Sequence, residues 1–126
     1  MTTINIKKDL LTQILQNAAS MHPREMLLLL RGKKSKDQIT ITEILIAPIA
    51  VHGHGFTGFQ SHMLPMDFSL VGTVHSHPSG VLEPSLPDLH HSFGRIIMIV
   101  GFPYVDERHV AVFSHSKEKL LLKVTE

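Results

Sequence analysis

A chain of 126 residues, 43% of them hydrophobic, suits one domain spanning 1–126 with a real core, although so short a chain keeps much of its surface wet. A net charge of +1 with neutral histidines offers no basic footprint for nucleic acid or a membrane surface. Leu27–Leu30 and Ile96–Val100, the longest apolar runs, are far too short to span a bilayer. Cysteine is absent, so disulfides and thiolate chemistry are excluded; a nucleophile has to be water, a hydroxyl or a carboxylate, and a metal ligand has to be nitrogen or oxygen. MTTINIKKDLL lacks the apolar stretch of a secretory signal, and the expectation is a soluble, cytoplasmic protein.

Ile4–Ile6 reads as a short edge strand. From Lys8 to Met21 the apolar residues fall at 10, 11, 14, 15, 18 and 21, the stripe of an amphipathic helix that His22-Pro23 ends. Met26–Arg31 is a continuous apolar run, Gly32 with Lys33–Asp37 a turn, and Gln38–Pro48 the β-branched return strand of a hairpin. The stretch HGHGFTG predicts a loop leading into a strand near Phe56–Met63. Leu70–His75 is a buried strand, Ser79–Pro87 a loop, and Asp88–Phe93 a short helix. Arg95–Gly101, Arg108–Ser114 and Leu120–Thr125 read as closing strands, the last with a helix as the alternative. This mixture predicts an α/β fold, a single-domain mixed β-sheet flanked by helices.

Ten histidines are several times an ordinary share, and two of them are arranged. His75 and His77 lie one residue apart at the end of a strand, where alternate side chains share a face and their Cα atoms stand about 6.5 Å apart. That spacing suits two imidazole ligands of one zinc ion. Pro78 stops the ladder and turns the chain away. A catalytic zinc takes three protein ligands and keeps one position open for water. Asp88 qualifies as the third: in Pro84-Ser85-Leu86-Pro87-Asp88 it falls in the first turn of a helix with Ser85 as N-cap.

His75-Ser76-His77-Pro78 followed by Ser85 and Asp88 resembles the H-[ST]-H-P … S-x-x-D signature of the JAMM/MPN+ zinc metalloproteases. Pro23-Arg24-Glu25-Met26-Leu27-Leu28-Leu29-Leu30-Arg31-Gly32 is similar to that family's upstream glutamate segment, with Glu25 at the glutamate. The resemblance implies a minimal prokaryotic-type JAMM domain of cytidine-deaminase-like architecture. It implies that His75, His77 and Asp88 hold the zinc. Glu25 would take a proton from water and pass it to the leaving amine, and Ser85 would donate a hydrogen bond to the water or the growing oxyanion. The implied reaction is hydrolysis of the bond between a ubiquitin-like or sulfur-carrier protein and its target.

The chain departs from the pattern in two places. Leu28 replaces a small residue behind Glu25, and the segment Met63–Ser69 before the motif strand is short, where larger relatives carry a substrate-gripping insertion. His77-Pro78-Ser79-Gly80 also looks like a bacterial DNA-repair-associated family, against which the Glu25 segment weighs. Plainer readings stand beside these. Ser85 and Asp88 form a capping box whatever else they do, and Glu25 alone would be a solvated residue at a strand start. His52 and His54 sit in a glycine-rich loop with no evident third ligand, and His90 and His91 read as rim residues. The functional alternatives are a non-catalytic MPN-type interaction scaffold and a zinc hydrolase of a small amide.

Overall fold

The computed structural model of the protein describes residues 2–46, 69–91 and 94–126. The expected strand near Phe56–Met63, His52, His54, and all but the last residue of Met63–Ser69 lie outside these residues. Strand β1 (Thr3–Lys7) runs into helix α1 (Lys8–Met21), and β2 (Leu27–Lys34) and β3 (Gln38–Ile46) form the hairpin. Then come β4 (Leu70–His77), α2 (Leu86–His91), β5 (Ile96–Gly101), β6 (Val110–Ser114) and β7 (Lys119–Thr125). No described helix is long and apolar enough to cross a membrane.

The strands close on themselves in the order β1-β3-β2-β4-β5-β6-β7, with β7 pairing back onto β1. Three of these pairings are parallel: β1 with β3, β1 with β7, and β4 with β5. The sheet is therefore mixed, as expected. Ile4–Ile6, however, is no edge: β1 is paired on both sides, and Ile4 and Ile6 are buried. Its partners lie some distance along the chain, and a three-residue apolar alternation carries no record of them.

Helix α1 occupies the predicted residues. It buries Leu11, Ile14, Leu15 and Ala18, with Leu10 and Met21 packed alongside, so the whole predicted stripe faces the protein. The His22 amide donates to the Ala18 carbonyl at 3.0 Å and closes the helix. Those side chains share one core with Ile4 and Ile6 of β1, Leu28 and Leu30 of β2, Met98 and Val100 of β5, and Val112 of β6. Ile14→Ala is expected to cost about 2–5 kcal/mol, the range for emptying a buried aliphatic site, read as a lower urea midpoint with an unchanged slope.

The alternation of β5 divides the two faces of the sheet. Ile96, Met98 and Val100 enter the main core, whereas Ile97 and Ile99 join Ala111 and Phe113 in a second cluster roofed by Leu82 and Leu89. That roof is the connection from β4 to β5. Parallel neighbours cannot be joined by a tight turn, so the chain has to cross back over the sheet after β4, and Leu89 of α2 and Leu82 of the segment before it pack on this face. The connection leaves β4 through a turn in which the Gly80 amide donates to the His77 carbonyl at 2.9 Å. Gly80 has φ of +85°, and a Cβ there would come within 3.1 Å of the Phe102 carbonyl oxygen; both facts call for glycine.

Candidate metal centre

Two of the paired residues of β4 and β5 are His75 with Ile99 and Ser76 with Val100. His75 therefore lies on the roofed face, on the side of Ile99, and Ser76 on the core side. His77, two residues beyond His75, shares its face, and the two rings stand 5.5 Å apart between centroids. The roof brings Asp88 onto them: its Oδ1 lies 3.2 Å from His75 Nε2 and its Oδ2 2.9 Å from His77 Nε2.

Each ligand is held by its own backing. The His77 ring places Nδ1 2.8 Å from the Val81 carbonyl oxygen. A carbonyl can only accept, so Nδ1 carries a proton, and Nε2, which shares its own proton with Asp88 Oδ2 at 2.9 Å, is the nitrogen a metal would take in place of that proton. Asp88 is fixed by the capping box. The Ser85 amide donates to Asp88 Oδ2 at 2.8 Å, and the Asp88 amide donates to Ser85 Oγ at 3.1 Å. The first helical bond, from the Leu89 amide to the Ser85 carbonyl at 3.1 Å, follows at once, so α2 begins at Leu86 and not at Asp88. The plainer reading of Ser85 and Asp88 as a cap and their reading as site residues are thus one arrangement.

The electrostatics are those of a paired site. The Asp88 hydrogen bond raises the His77 pKa against the opposing effect of burial. Burial by itself would push the Asp88 carboxyl up, but its contacts with His75 and His77 outweigh that and hold it well below the usual carboxylate range. The side chains of His75, His77 and Asp88 are only 8%, 13% and 14% exposed.

The donor set suits a zinc ion. Ligand atoms at about 2.0–2.1 Å in a tetrahedron stand roughly 3.3 Å from one another. Here one donor atom from each of the three residues lies within 4.8 Å of the others. Among the described residues His75 Nε2 finds no well-aligned hydrogen-bond partner although it is buried, and such an orphaned nitrogen is accounted for by a bound cation. Two imidazoles and a carboxylate are borderline to hard donors, as zinc prefers.

Glu25 is exposed between α1 and β2 and lines the same cleft of about 510 Å³ as His77, Ser85 and Asp88. The structure therefore brings together all five residues singled out in the sequence, His75 lying behind the cleft wall and the other four lining it. His90 and His91 close α2, but their side chains lie outside the described residues. Three residues near the site carry no functional signal in the sequence. Ser76 is buried behind the ligand pair, Tyr104 is buried beside it, and His22 Nδ1 lies 3.0 Å from the Tyr104 hydroxyl. Strand alternation could have flagged Ser76 as a polar residue turned to the face opposite the two histidines; nothing in the sequence joins positions 22 and 104.

The family profile described as "Prokaryotic homologs of the JAB domain" matches residues 7–117. The chain belongs to this family. It is 37% identical over 108 residues to a Haloferax volcanii protein named "Probable metalloprotease", covering 80% of this chain and 67% of that one. A JAB1/MPN domain protein from Archaeoglobus fulgidus superposes with a TM-score of 0.67 at 33% identity, with 100% of both chains covered. A structure described as "JAMM: A Metalloprotease-like Zinc Site in the Proteasome and Signalosome" gives 0.70 at 33% identity, covering 99% of this chain and 100% of the other. A protein from Desulfitobacterium hafniense shares the fold, with a TM-score of 0.70 at 16% identity over 98% of this chain and 93% of its own. With the His75-His77-Asp88 set on this fold, the chain is a JAMM-type metalloprotease.

For this JAB-family chain the capping box gives a separable prediction. Ser85→Ala removes the hydroxyl that accepts the Asp88 amide but leaves the backbone N–H that holds Asp88 Oδ2. A loss of about 1 kcal/mol in unfolding free energy is expected. Zinc should still bind stoichiometrically, as checked by metal analysis after gel filtration.

Proposed function

We propose that the protein is a zinc isopeptidase that hydrolyses the bond between the C-terminus of a ubiquitin-like or sulfur-carrier protein and an amine of its target. The observation that carries this reading is the placement of Glu25, a carboxylate outside the ligand set, in the same cleft as His77, Ser85 and Asp88. His75, His77 and Asp88 would hold the zinc. Zinc in such a site polarises a scissile carbonyl and lowers the pKa of bound water from 15.7 to about 7.

The chain's own residues supply the rest. Glu25 accepts the proton of the attacking water and returns it to the departing nitrogen, general acid–base work that contributes about 10²–10⁴-fold. Ser85 Oγ already accepts the Asp88 amide, and a hydroxyl that accepts one bond still has its own proton to donate. Ser85 thereby serves as cap and as hydrogen-bond donor to developing negative charge. The Asp88 carboxyl is held ionised by its two histidines, the form in which its oxygens can bind a metal. Glu83 also lines the cleft, so its wall carries two acidic side chains outside the ligand set, which suits a target with cationic residues flanking the modified lysine.

The test offers the zinc-loaded protein three substrates: a ubiquitin-like protein joined through its C-terminal Gly-Gly to a lysine side chain, the same protein in linear fusion, and a small amide. Cleavage of the isopeptide, abolished by a chelator and restored by zinc, is the expected result. Cleavage of the small amide alone would assign the site to small-molecule hydrolysis. Chelator-insensitive partner binding without any cleavage would favour the scaffold role.

A further inference from the structure

Ser76 stands between the two histidine ligands in the chain but on the opposite face of β4, and it is 0% exposed. A hydroxyl buried that completely has to find a partner. Its Oγ accepts the Met26 amide at 2.7 Å, and its own amide donates to the Met26 carbonyl at 3.1 Å. Both backbone polar atoms of Met26 are thus bonded by one residue of the motif strand. The Met26 side chain is itself fully buried in the core. Met26 directly follows Glu25, which is exposed and belongs to no helix or strand.

We propose that Ser76 is a positioning residue for the general base: by gripping the backbone of Met26 it fixes Glu25 over the metal ligands His75 and His77. The inference rests on the reading of Glu25 as the base. It explains why the base can be precise while lying outside regular structure. The same three residues, His75, Ser76 and His77, hold the ligands on one face of the strand and the base's neighbour on the other. The grip is backed by Tyr104. The Tyr104 hydroxyl lies beside the Ser76 hydroxyl and 3.0 Å from His22 Nδ1, and the His22 ring stacks on Phe102 at 4.5 Å. Ser76 accepts from Met26 and retains its proton for Tyr104, so one hydroxyl ties two elements.

The test compares Ser76→Ala, Ser76→Thr, Glu25→Ala and the double variant, each brought to equal zinc content, on the isopeptide substrate. Ser76→Ala is expected to lower kcat about 10- to 100-fold with KM unchanged, the scale of a misplaced catalytic group. It should move the acidic limb of the kcat–pH profile and speed hydrogen exchange at the Met26 amide. Ser76→Thr, which keeps the hydroxyl, should restore all three. In the Glu25→Ala background the Ser76→Ala change should cost nothing further.

A wild-type kcat and pH profile in Ser76→Ala, even with a lowered Tm, would assign Ser76 to stability alone and overturn the proposal. A loss undiminished in the Glu25→Ala background would overturn it as well. Were Glu25→Ala itself fully active, the reading of Glu25 would fall and this inference with it, an outcome that the single variants separate from the other two. Should Ser76→Ala not fold, Ser76→Cys, of similar size but with a weak acceptor, carries the same measurements.

Discussion

Asp88→Ala is expected to weaken zinc binding by about 10²-fold and, at limiting zinc, to lower hydrolysis with it. Asp88 is where the two parts of the site meet. Its oxygens lie 3.2 Å from His75 Nε2 and 2.9 Å from His77 Nε2, and its Oδ2 is also held by the Ser85 amide. Structural zinc sites bind with about 10–16 kcal/mol across four ligands, so one ligand accounts for roughly 3 kcal/mol, or about 10²-fold in Kd. Removing the carboxylate also takes from two largely buried imidazoles the acidic group in direct contact with both. Asp88→Asn separates the two effects. It keeps an oxygen for the Ser85 amide and so the start of α2, yet removes the charge. Zinc titration by calorimetry should find weak binding in both variants and a stability loss chiefly in Asp88→Ala. Full zinc occupancy in Asp88→Asn would remove the carboxylate's charge from the binding account.

Glu25→Ala is the complementary case. Glu25 lies outside the set of three clustered donors, so the variant should bind zinc as wild type does. Its turnover should fall by about 10²–10⁴-fold, because no other carboxylate of the cleft outside the ligand set occupies that position on the chain between α1 and β2. Glu83 shares the cleft and provides the internal control. Glu83→Ala should leave kcat nearly unchanged, with any effect on KM for a lysine isopeptide, since it is read as part of the anionic wall. Steady-state kinetics on the three proteins at matched zinc content would check both statements. A Glu25→Ala enzyme of normal kcat would exclude Glu25 as the base.

What could be read from the sequence was what local physics writes into it. The stripe of α1 is a 3.6-residue period, and its end at His22-Pro23 is a local stop, so the helix matched residue for residue. The histidine pair follows from the two-residue period of a strand, and Asp88 from the capping box that starts the next helix. Even the return of Asp88 to the histidines has a simple cause: β4 and β5 are parallel, and their connection has to cross the face on which His75 and His77 lie.

The rest is non-local. Closure of the sheet depends on β1 pairing in parallel with both β3 and β7, and no short pattern in Ile4–Ile6 names those partners. The contact of His22 with Tyr104 spans 82 positions. Ser76 is hidden for a different reason: between two conspicuous ligands it reads as a spacer, and only the pairing of β2 with β4, which sets Leu27 opposite His75, brings its hydroxyl to the Met26 backbone. Turn boundaries shifted for similar reasons. The hairpin strand β2 continues to Lys34, past the expected end at Arg31, because β3 supplies partners for Gly32, Lys33 and Lys34.

The central claim is a glutamate-dependent metallo-isopeptidase, and one measurement tests it most directly. A ubiquitin-like protein joined through its C-terminal Gly-Gly to a lysine side chain would be incubated with zinc-loaded wild type and with Glu25→Ala of equal zinc content. Release of the free modifier by wild type alone is the predicted result. Equal release by both proteins, or none by wild type with zinc stoichiometrically bound, would contradict it.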